Sequence, residues 1–185
     1  MLTKNHLSMQ ELEEGIENIR QSPRNNGVQE MIVRRPQVDE REQLTEGLLD
    51  VTEGLVGDNW KVRGSKSTPD GSAHPDMQIN IMNARVIALL AQEKERWQLA
   101  GDELFIDLDL SAANLPAGTR LALGSAILEI TARPHTGCDK FAARFGTAAT
   151  KFVNSPAGRE LHLRGVNAKV VQSGKIRVGD TARKV

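Results

Sequence analysis

After the first 27 residues, apolar positions fall mainly in short runs separated by turn-forming residues. Gln29–Arg35 is one such run and stops at Pro36, and Leu55–Arg63 is a second that contains the bend-forming pair Gly57-Asp58. Short apolar runs bounded by glycine, proline and aspartate are typical of β-strands. The pattern predicts two strands here, followed by a loop from Gly64 to Pro75 that is rich in glycine, serine and proline.

Two segments have helical periodicity instead. Leu12, Ile16 and Ile19 share one helical face, and Ser8–Glu11 has the spacing of a capping box at the start of that helix. Ile81–Trp97 is apolar nearly all round in its first half and charged in its second half. We expect a short N-terminal helix and one long helix with a buried end and a solvated end.

The rest of the chain predicts short strands, with Gly124-Ser125 as a two-residue type II′ hairpin turn and a phase change at Gly165 as a β-bulge. The predicted strands are Leu104–Ile106, Thr119–Leu123, Ala126–Thr131, Leu161–Arg164 and Lys175–Val178. Many short antiparallel strands and few helices predict a mainly β (α+β) closed barrel with peripheral helices. We expect residues 1–27 to form a helical extension and residues 28–185 to form the barrel domain.

Composition narrows the classes of function. The 185 residues are 39% hydrophobic and carry 24 basic and 24 acidic side chains, so the net charge is zero. A nucleic-acid binder normally has a basic excess, which leaves room here only for a local basic pocket. No apolar run is long enough to span a membrane, the N-terminal residues do not resemble a signal peptide, and a single cysteine precludes an internal disulfide. These features favour a cytoplasmic protein that binds neither membrane nor nucleic acid.

The segment that carries candidate chemistry runs from Arg133 to Phe141, between a predicted strand and a predicted short helix. Cys138 falls at the start of that helix, where the helix dipole favours the thiolate, and Arg133, His135 and Lys140 add positive charge nearby. A thiolate binds metal, carries sulfur or attacks an electrophile. His135 is either an acid–base partner of Cys138 or a hydrogen-bonding loop residue.

Several short motifs follow one another in a defined order along the chain. They are Glu53–Asp58, His74-Pro75-Asp76, Gly101–Leu104, Leu115–Thr119, Leu123–Ala126, the Cys138 loop, Leu163–Ala168 and Ile176–Asp180. From about Val28 to the C-terminus, this series resembles the MOSC domain, named for the C-terminal domain of molybdenum cofactor sulfurases. Within that family, the chain resembles the YiiM-like members, in which the MOSC domain stands alone.

The resemblance implies a closed barrel with one key cysteine, which matches Cys138. In relatives this cysteine binds the molybdenum of the molybdopterin cofactor or is proposed to carry sulfur as a persulfide. The mitochondrial amidoxime-reducing component and YiiM-like proteins reduce N-hydroxylated compounds. Thr136 matches a small hydroxyl position beside the cysteine. The implied cofactor contacts are Arg133, Thr136, Lys140, Asp58 and Lys61.

The chain departs from the family pattern at two positions. Asn59 stands where an arginine often follows Gly-Asp, and Glu103 stands where the family often has asparagine. A carboxylate near an anionic cofactor would repel it, so these departures favour weaker, altered or lost cofactor binding. The chain also lacks flavin, iron–sulfur and zinc motifs and any region long enough for the pyridoxal phosphate domain that accompanies some MOSC domains.

Three hypotheses follow from the sequence. The first is a molybdenum-cofactor-binding or sulfur-carrier protein, which would need an electron-donor protein or a sulfur-donating desulfurase as partner and would act on a small-molecule substrate. The second is a thiol enzyme without molybdenum, with Cys138 as nucleophile and His135 as base. The third is a non-enzymatic binding barrel that has lost the cofactor.

Overall fold

The computed structural model describes residues 5–185, so residues 1–4, where the predicted N-terminal extension begins, lie outside the described residues. The strands are β1 (Gly27–Arg34), β2 (Glu42–Leu44), β3 (Glu46–Asp50), β4 (Gly54–Leu55), β5 (Ile79–Asn83), β6 (Leu104–Asp107), β7 (Arg120–Leu123), β8 (Ala126–Ile130), β9 (Val166–Gln172), β10 (Gly174–Arg177) and β11 (Thr181–Lys184). The α-helices are α1 (Met9–Glu14), α2 (Ile16–Arg20), α3 (Trp60–Arg63), α4 (Ala84–Ala91), α5 (Asp139–Phe145), α6 (Thr147–Asn154) and α7 (Pro156–Glu160), and 3-10 helices span Pro75–Met77 and Lys94–Ala100.

Seven strands close into a barrel in the order β1, β11, β7, β8, β9, β5 and β6, with β6 pairing back to β1. All neighbours are antiparallel except β5 and β6, which are parallel and connected through α4. Strand β2 adds to the outside of β1, and β10, β3 and β4 form a separate small sheet. The mainly β barrel with peripheral helices that the sequence predicts is therefore confirmed.

Strands β5 and β6 and the second half of β1 bury both of their faces. On β1, Ile32 points into the barrel core, whereas its neighbours Met31 and Val33 pack beneath the helices. On β6, Leu104 likewise points into the barrel core, and Phe105 packs beneath the helices in a second, outer core. Because side chains alternate along a strand, one face fills the barrel and the other supports the helical layer.

The predicted long helix over Ile81–Trp97 is wrong. Its first residues belong to β5, α4 begins only at Ala84, and Gln92 ends α4 with a φ of +63°. All five residues of β5 are buried. A strand buried on both faces has no polar alternation, so its sequence looks like that of a buried helix.

Two predicted strands are also wrong. In Leu55–Arg63, the Asp58 carboxylate accepts a hydrogen bond from the backbone N–H of Trp60, and α3 follows in place of a strand. Leu161–Arg164 is a turn after α7, so the bulge predicted at Gly165 does not exist, because β9 starts only after that residue. Local side-chain hydrogen bonds and turn conformations override the apolar pattern in both places.

The predictions for the N-terminal helix and the hairpin fare better. The capping box between Ser8 and Glu11 is present, although Gly15 divides the helix into α1 and α2. The turn between β7 and β8 has a φ of +56° at Gly124, as a glycine-first hairpin turn requires. Leu12 and Ile19 are buried in the outer core, so α1 and α2 pack on the barrel. The helices of residues 5–185 are all too short or too polar to cross a membrane.

Candidate functional site

The loop between β8 and α5 holds the cysteine. Cys138 is the N-cap residue of α5, and its exposed thiol forms no hydrogen bond or disulfide with any residue in 5–185. The Asn154 side chain fixes the loop from α6, because it accepts a hydrogen bond from Gly137 N (2.9 Å) and donates one to Gly137 O (3.1 Å). At the other end, Asn167 Nδ2 donates to the carbonyl of Arg133 at 3.0 Å. The thiol is therefore free while its backbone is held in place.

Cys138 lies at a cavity of about 270 Å³, which we call the cysteine cavity. Six cationic side chains line this cavity: Arg35, Arg41, Arg63, Lys140, Arg144 and Arg164. Among residues 5–185 the one lining carboxylate is that of Asp39, whose Oδ1 lies 3.6 Å from Arg144 Nη2 and 3.9 Å from Lys140 Nζ. The balance of charge favours an anionic ligand.

The cationic side chains also affect one another. Burial lowers the pKa of Arg41, and the charges of Arg144 and Arg35 lower it further. Burial and the charge of Arg35 likewise lower the pKa of Arg63. These guanidinium groups stay protonated at any ordinary pH, so their repulsion would be relieved by a bound anion.

One buried network behind the cysteine cavity joins three residues. Asp102 is fully buried, and it accepts hydrogen bonds from Arg164 Nη1 at 2.7 Å and from His135 Nε2 at 3.0 Å. Burial alone would raise the pKa of Asp102, but the charge of Arg164 and the hydrogen bond from His135 outweigh it, and the pKa is lowered. Burial and the charge of Arg164 lower the pKa of His135. His135 is therefore a neutral ring that donates through Nε2 and leaves Nδ1 as an acceptor.

A second buried network joins Arg35, Asp58 and Glu103. Arg35 donates to Asp58 from Nε at 2.9 Å and from Nη2 at 2.8 Å, and it also donates to Glu103. Burial raises the pKa of Glu103 to about 8, despite the opposing charge of Arg35. Glu103 does not line the cysteine cavity, so the repulsion expected from its carboxylate does not arise at the cavity wall.

The structure brings only some of the predicted site residues together. His135 and Lys140 line the cysteine cavity with Cys138. Arg133 and Thr136 line a different cavity of about 500 Å³ on the other side of the loop, which we call the second cavity.

The two cofactor contacts predicted near residue 60 lie elsewhere. Asp58 is buried in its ion pair with Arg35, and the exposed Lys61 pairs with Glu53 instead of lining the cysteine cavity. Asn59 does line that cavity, and its buried Oδ1 has no hydrogen-bond partner among residues 5–185.

Sequence reasoning missed most of the charged wall. Arg35 lies between the end of β1 and Pro36, and its local sequence does not distinguish it from a surface arginine. Arg164 belongs to the predicted strand Leu161–Arg164, which does not form, and Asp102 lies in the Gly101–Leu104 motif without a predicted role in the site. Only the tertiary structure brings these side chains to Cys138.

Comparisons with known proteins agree with this fold. The sequence model of the MOSC domain matches residues 69–183. The solved structure of YuaD from Bacillus subtilis is similar, with a TM-score of 0.62 and 17% identity over 85% of this chain and 94% of that chain. YiiM from Escherichia coli (TM-score 0.54, 20% identity, 85% of this chain and 69% of that one) is similar as well. A comparison with curated proteins finds no match. Because the matched segment is more than half of the sequence, the chain belongs to the MOSC domain family.

Proposed function

We propose that the chain binds a molybdenum cofactor in the cysteine cavity, with the Cys138 thiolate as a ligand of the metal. The observation that carries this proposal is an exposed, unpaired thiol at a cavity lined by six cationic side chains. A thiolate is a soft metal ligand, and guanidinium groups suit phosphate. Membership of the MOSC domain family supports a role related to the molybdenum cofactor.

The chemistry of the lining residues fits an anionic pterin group. The cations outnumber the single lining carboxylate, Asp39, which already has cationic neighbours. The buried Oδ1 of Asn59 lacks a partner among residues 5–185, and an N–H donor of the ligand would satisfy it. The uncharged asparagine therefore need not prevent binding, because arginines from other segments supply the positive charge.

Different residues would hold different parts of the group. Arg41, Arg63 and Lys140 would hold the phosphate, since Arg35 and Arg164 are already engaged with buried carboxylates. Cys138 would hold the metal. A bound molybdenum centre would supply the two-electron chemistry that reduction of an N–O bond requires. Reduction of an N-hydroxylated compound to the amine consumes two electrons and two protons and releases water, and a flavin or iron–sulfur partner protein would deliver the electrons.

His135 would act as a positioning residue in this site. Its Nε2–H donates to Asp102, and the ring lines the cavity as a neutral acceptor. No hydrogen bond joins His135 to the Cys138 thiol within residues 5–185, so the hypothesis of a Cys–His thiol enzyme has no geometric support. Persulfide transfer is the second candidate, because an exposed thiol on a fixed loop is accessible to a sulfur-donating desulfurase.

The test is the molybdenum and pterin content of protein purified without air from a cofactor-competent host. We expect near-stoichiometric molybdenum and pterin in the wild type, loss of molybdenum in Cys138→Ala, and loss of pterin in the double variant Arg41→Gln/Arg63→Gln. Arg183→Gln is the matched control, because Arg183 is exposed and lines neither cavity. Wild-type protein without metal or pterin would overturn the proposal and leave persulfide transfer or a bare binding barrel.

A further inference from the structure

The second cavity lies across the cysteine loop from the cysteine cavity. Its volume of about 500 Å³ is in the range of small-molecule sites. Much of its wall is apolar and comes from four parts of the fold, including Leu115, Ile130, Val153 and Val166. Such a wall suits a ligand with an apolar body.

The charged groups of this cavity are all of one sign. Arg133, Arg159 and Arg164 line it, and no aspartate or glutamate within residues 5–185 does. Arg133 forms no side-chain hydrogen bond or ion pair within residues 5–185, and Arg159 uses only Nε, which donates to Asn154 O at 3.1 Å. Two arginines therefore face one cavity without a protein counter-ion, in contrast to Arg34, which is paired with Glu42.

The wall of the second cavity is preformed. His162 has a φ of +49°, which is uncommon for a residue with a side chain, and its Nδ1 donates to Leu110 O at 2.7 Å. Arg164 is held by Asp102, and Asn154 is held by the backbone of Gly137. A ligand entering this cavity would therefore have to order few side chains other than those of the exposed Arg133 and Arg159.

We propose that the second cavity is a binding site for a small organic anion with an apolar body, whose acidic group Arg133 and Arg159 bind. The apolar wall takes the body of the ligand, and the two unpaired guanidinium groups neutralise its charge. Because His135 and Arg164 line both cavities, the ligand lies next to the cysteine site. The proposal does not depend on the molybdenum cofactor, since all the groups it uses belong to the chain.

The first test is a fluorescence titration of the metal-free full chain with anilinonaphthalene sulfonate, an amphipathic anion. We expect saturable binding at one site, displaced by benzoate about tenfold more effectively than by the uncharged benzyl alcohol. Inorganic phosphate, which lacks an apolar body, should not displace the dye. Absence of saturable binding, or equal displacement by benzoate and benzyl alcohol, would overturn the proposal.

Variants locate the bound dye. The double variant Arg133→Gln/Arg159→Gln should bind the dye at least about tenfold more weakly, whereas the exposed control Arg183→Gln should bind like the wild type. Ala117→Trp, which places a large ring at the cavity wall, should block binding without removing any charge. Circular dichroism confirms that each variant is folded, because dye bound to a partly unfolded chain would mislead.

The competing location is the cysteine cavity. Loss of dye binding in Arg41→Gln/Arg63→Gln, with retention in Arg133→Gln/Arg159→Gln, would place the dye there and refute the second site. Since the titration uses metal-free protein, its outcome is separate from the molybdenum analysis. Either proposal can therefore fail while the other stands.

Discussion

Asp102 and Glu103 are consecutive, fully buried acidic residues just before β6, yet the pKa of one is lowered and that of the other is raised. Asp102 accepts hydrogen bonds from Arg164 and His135, and its pKa is lowered. Glu103 shares Arg35 with a second carboxylate, Asp58, and its pKa is raised to about 8. Both are equally buried, so desolvation alone does not explain the difference.

The difference comes from the number of charges in each network. Asp102 is the single acid paired with Arg164, and the neutral His135 adds a hydrogen bond without a competing negative charge. In the other network two acids compete for one guanidinium, so the pKa of one of them, Glu103, is raised. The cysteine cavity thus receives positive charge from Arg164 and Arg35, while the compensating carboxylates lie behind the wall.

Removing Arg164, the cation of the Asp102 network, should have the largest effect on the free energy of unfolding. Arg164→Met would leave the Asp102 carboxylate buried with only a neutral partner, and breaking a buried pair in this way costs about 3–5 kcal/mol. We expect the free energy of unfolding at neutral pH, measured by urea denaturation, to fall by that amount. The exposed control Arg183→Met should stay within about 0.5 kcal/mol of the wild type. Equal stability of the two variants would refute the buried pairing.

The protonated state of Glu103 predicts a pH dependence. The folded protein keeps this proton up to about pH 8, whereas an unfolded glutamate releases it near 4.5, so stability falls as pH rises between these values. Glu103→Gln should remove a slope of up to about 1.4 kcal/mol per pH unit. Urea denaturation between pH 7 and 8 is the suitable window, because a histidine with the ordinary pKa of 6.5 is mostly neutral there and the pKa of folded His135 is lower still. The exposed Glu160→Gln should keep the wild-type slope, and an unchanged slope in Glu103→Gln would show that Glu103 is ionised.

His135 predicts a smaller effect of opposite sign. Its pKa in the folded protein lies below the ordinary 6.5, so on acidification the unfolded chain takes up the proton first. Stability should therefore decrease as pH falls below 6.5, by at most about 1.4 kcal/mol per pH unit. His135→Asn should lose this contribution between pH 5 and 6.5, while the exposed control His6→Asn should keep it. A slope in His135→Asn that matches the wild type would mean that folding does not lower the pKa of the His135 ring.

The same networks show where sequence reasoning succeeds and fails. The β7–β8 hairpin and the position of Cys138 before a short helix follow from local patterns, so they could be predicted. The strand β5 could not, because burial on both faces removes the alternation that identifies a strand. Buried charges are harder still. Arg35 and Arg34 are adjacent and identical in type, and nothing in the local sequence says that only one of them is buried.

Replacing the exposed Arg34 should have the smallest effect on the free energy of unfolding. Arg34 Nη2 lies 2.7 Å from Glu42 Oε2, but the two side chains are 30% and 45% exposed. Water screens such a pair and already solvates each charge, so surface pairs contribute about 0–1 kcal/mol. Arg34→Met should therefore lower the free energy of unfolding by less than about 1 kcal/mol in the same urea experiment, and added salt should reduce the difference. A loss as large as that expected for Arg164→Met would mean that burial does not separate the two classes of arginine. A small loss would show that an ion pair as short as the one between Arg164 and Asp102 stabilises the fold only weakly when water solvates both of its charges.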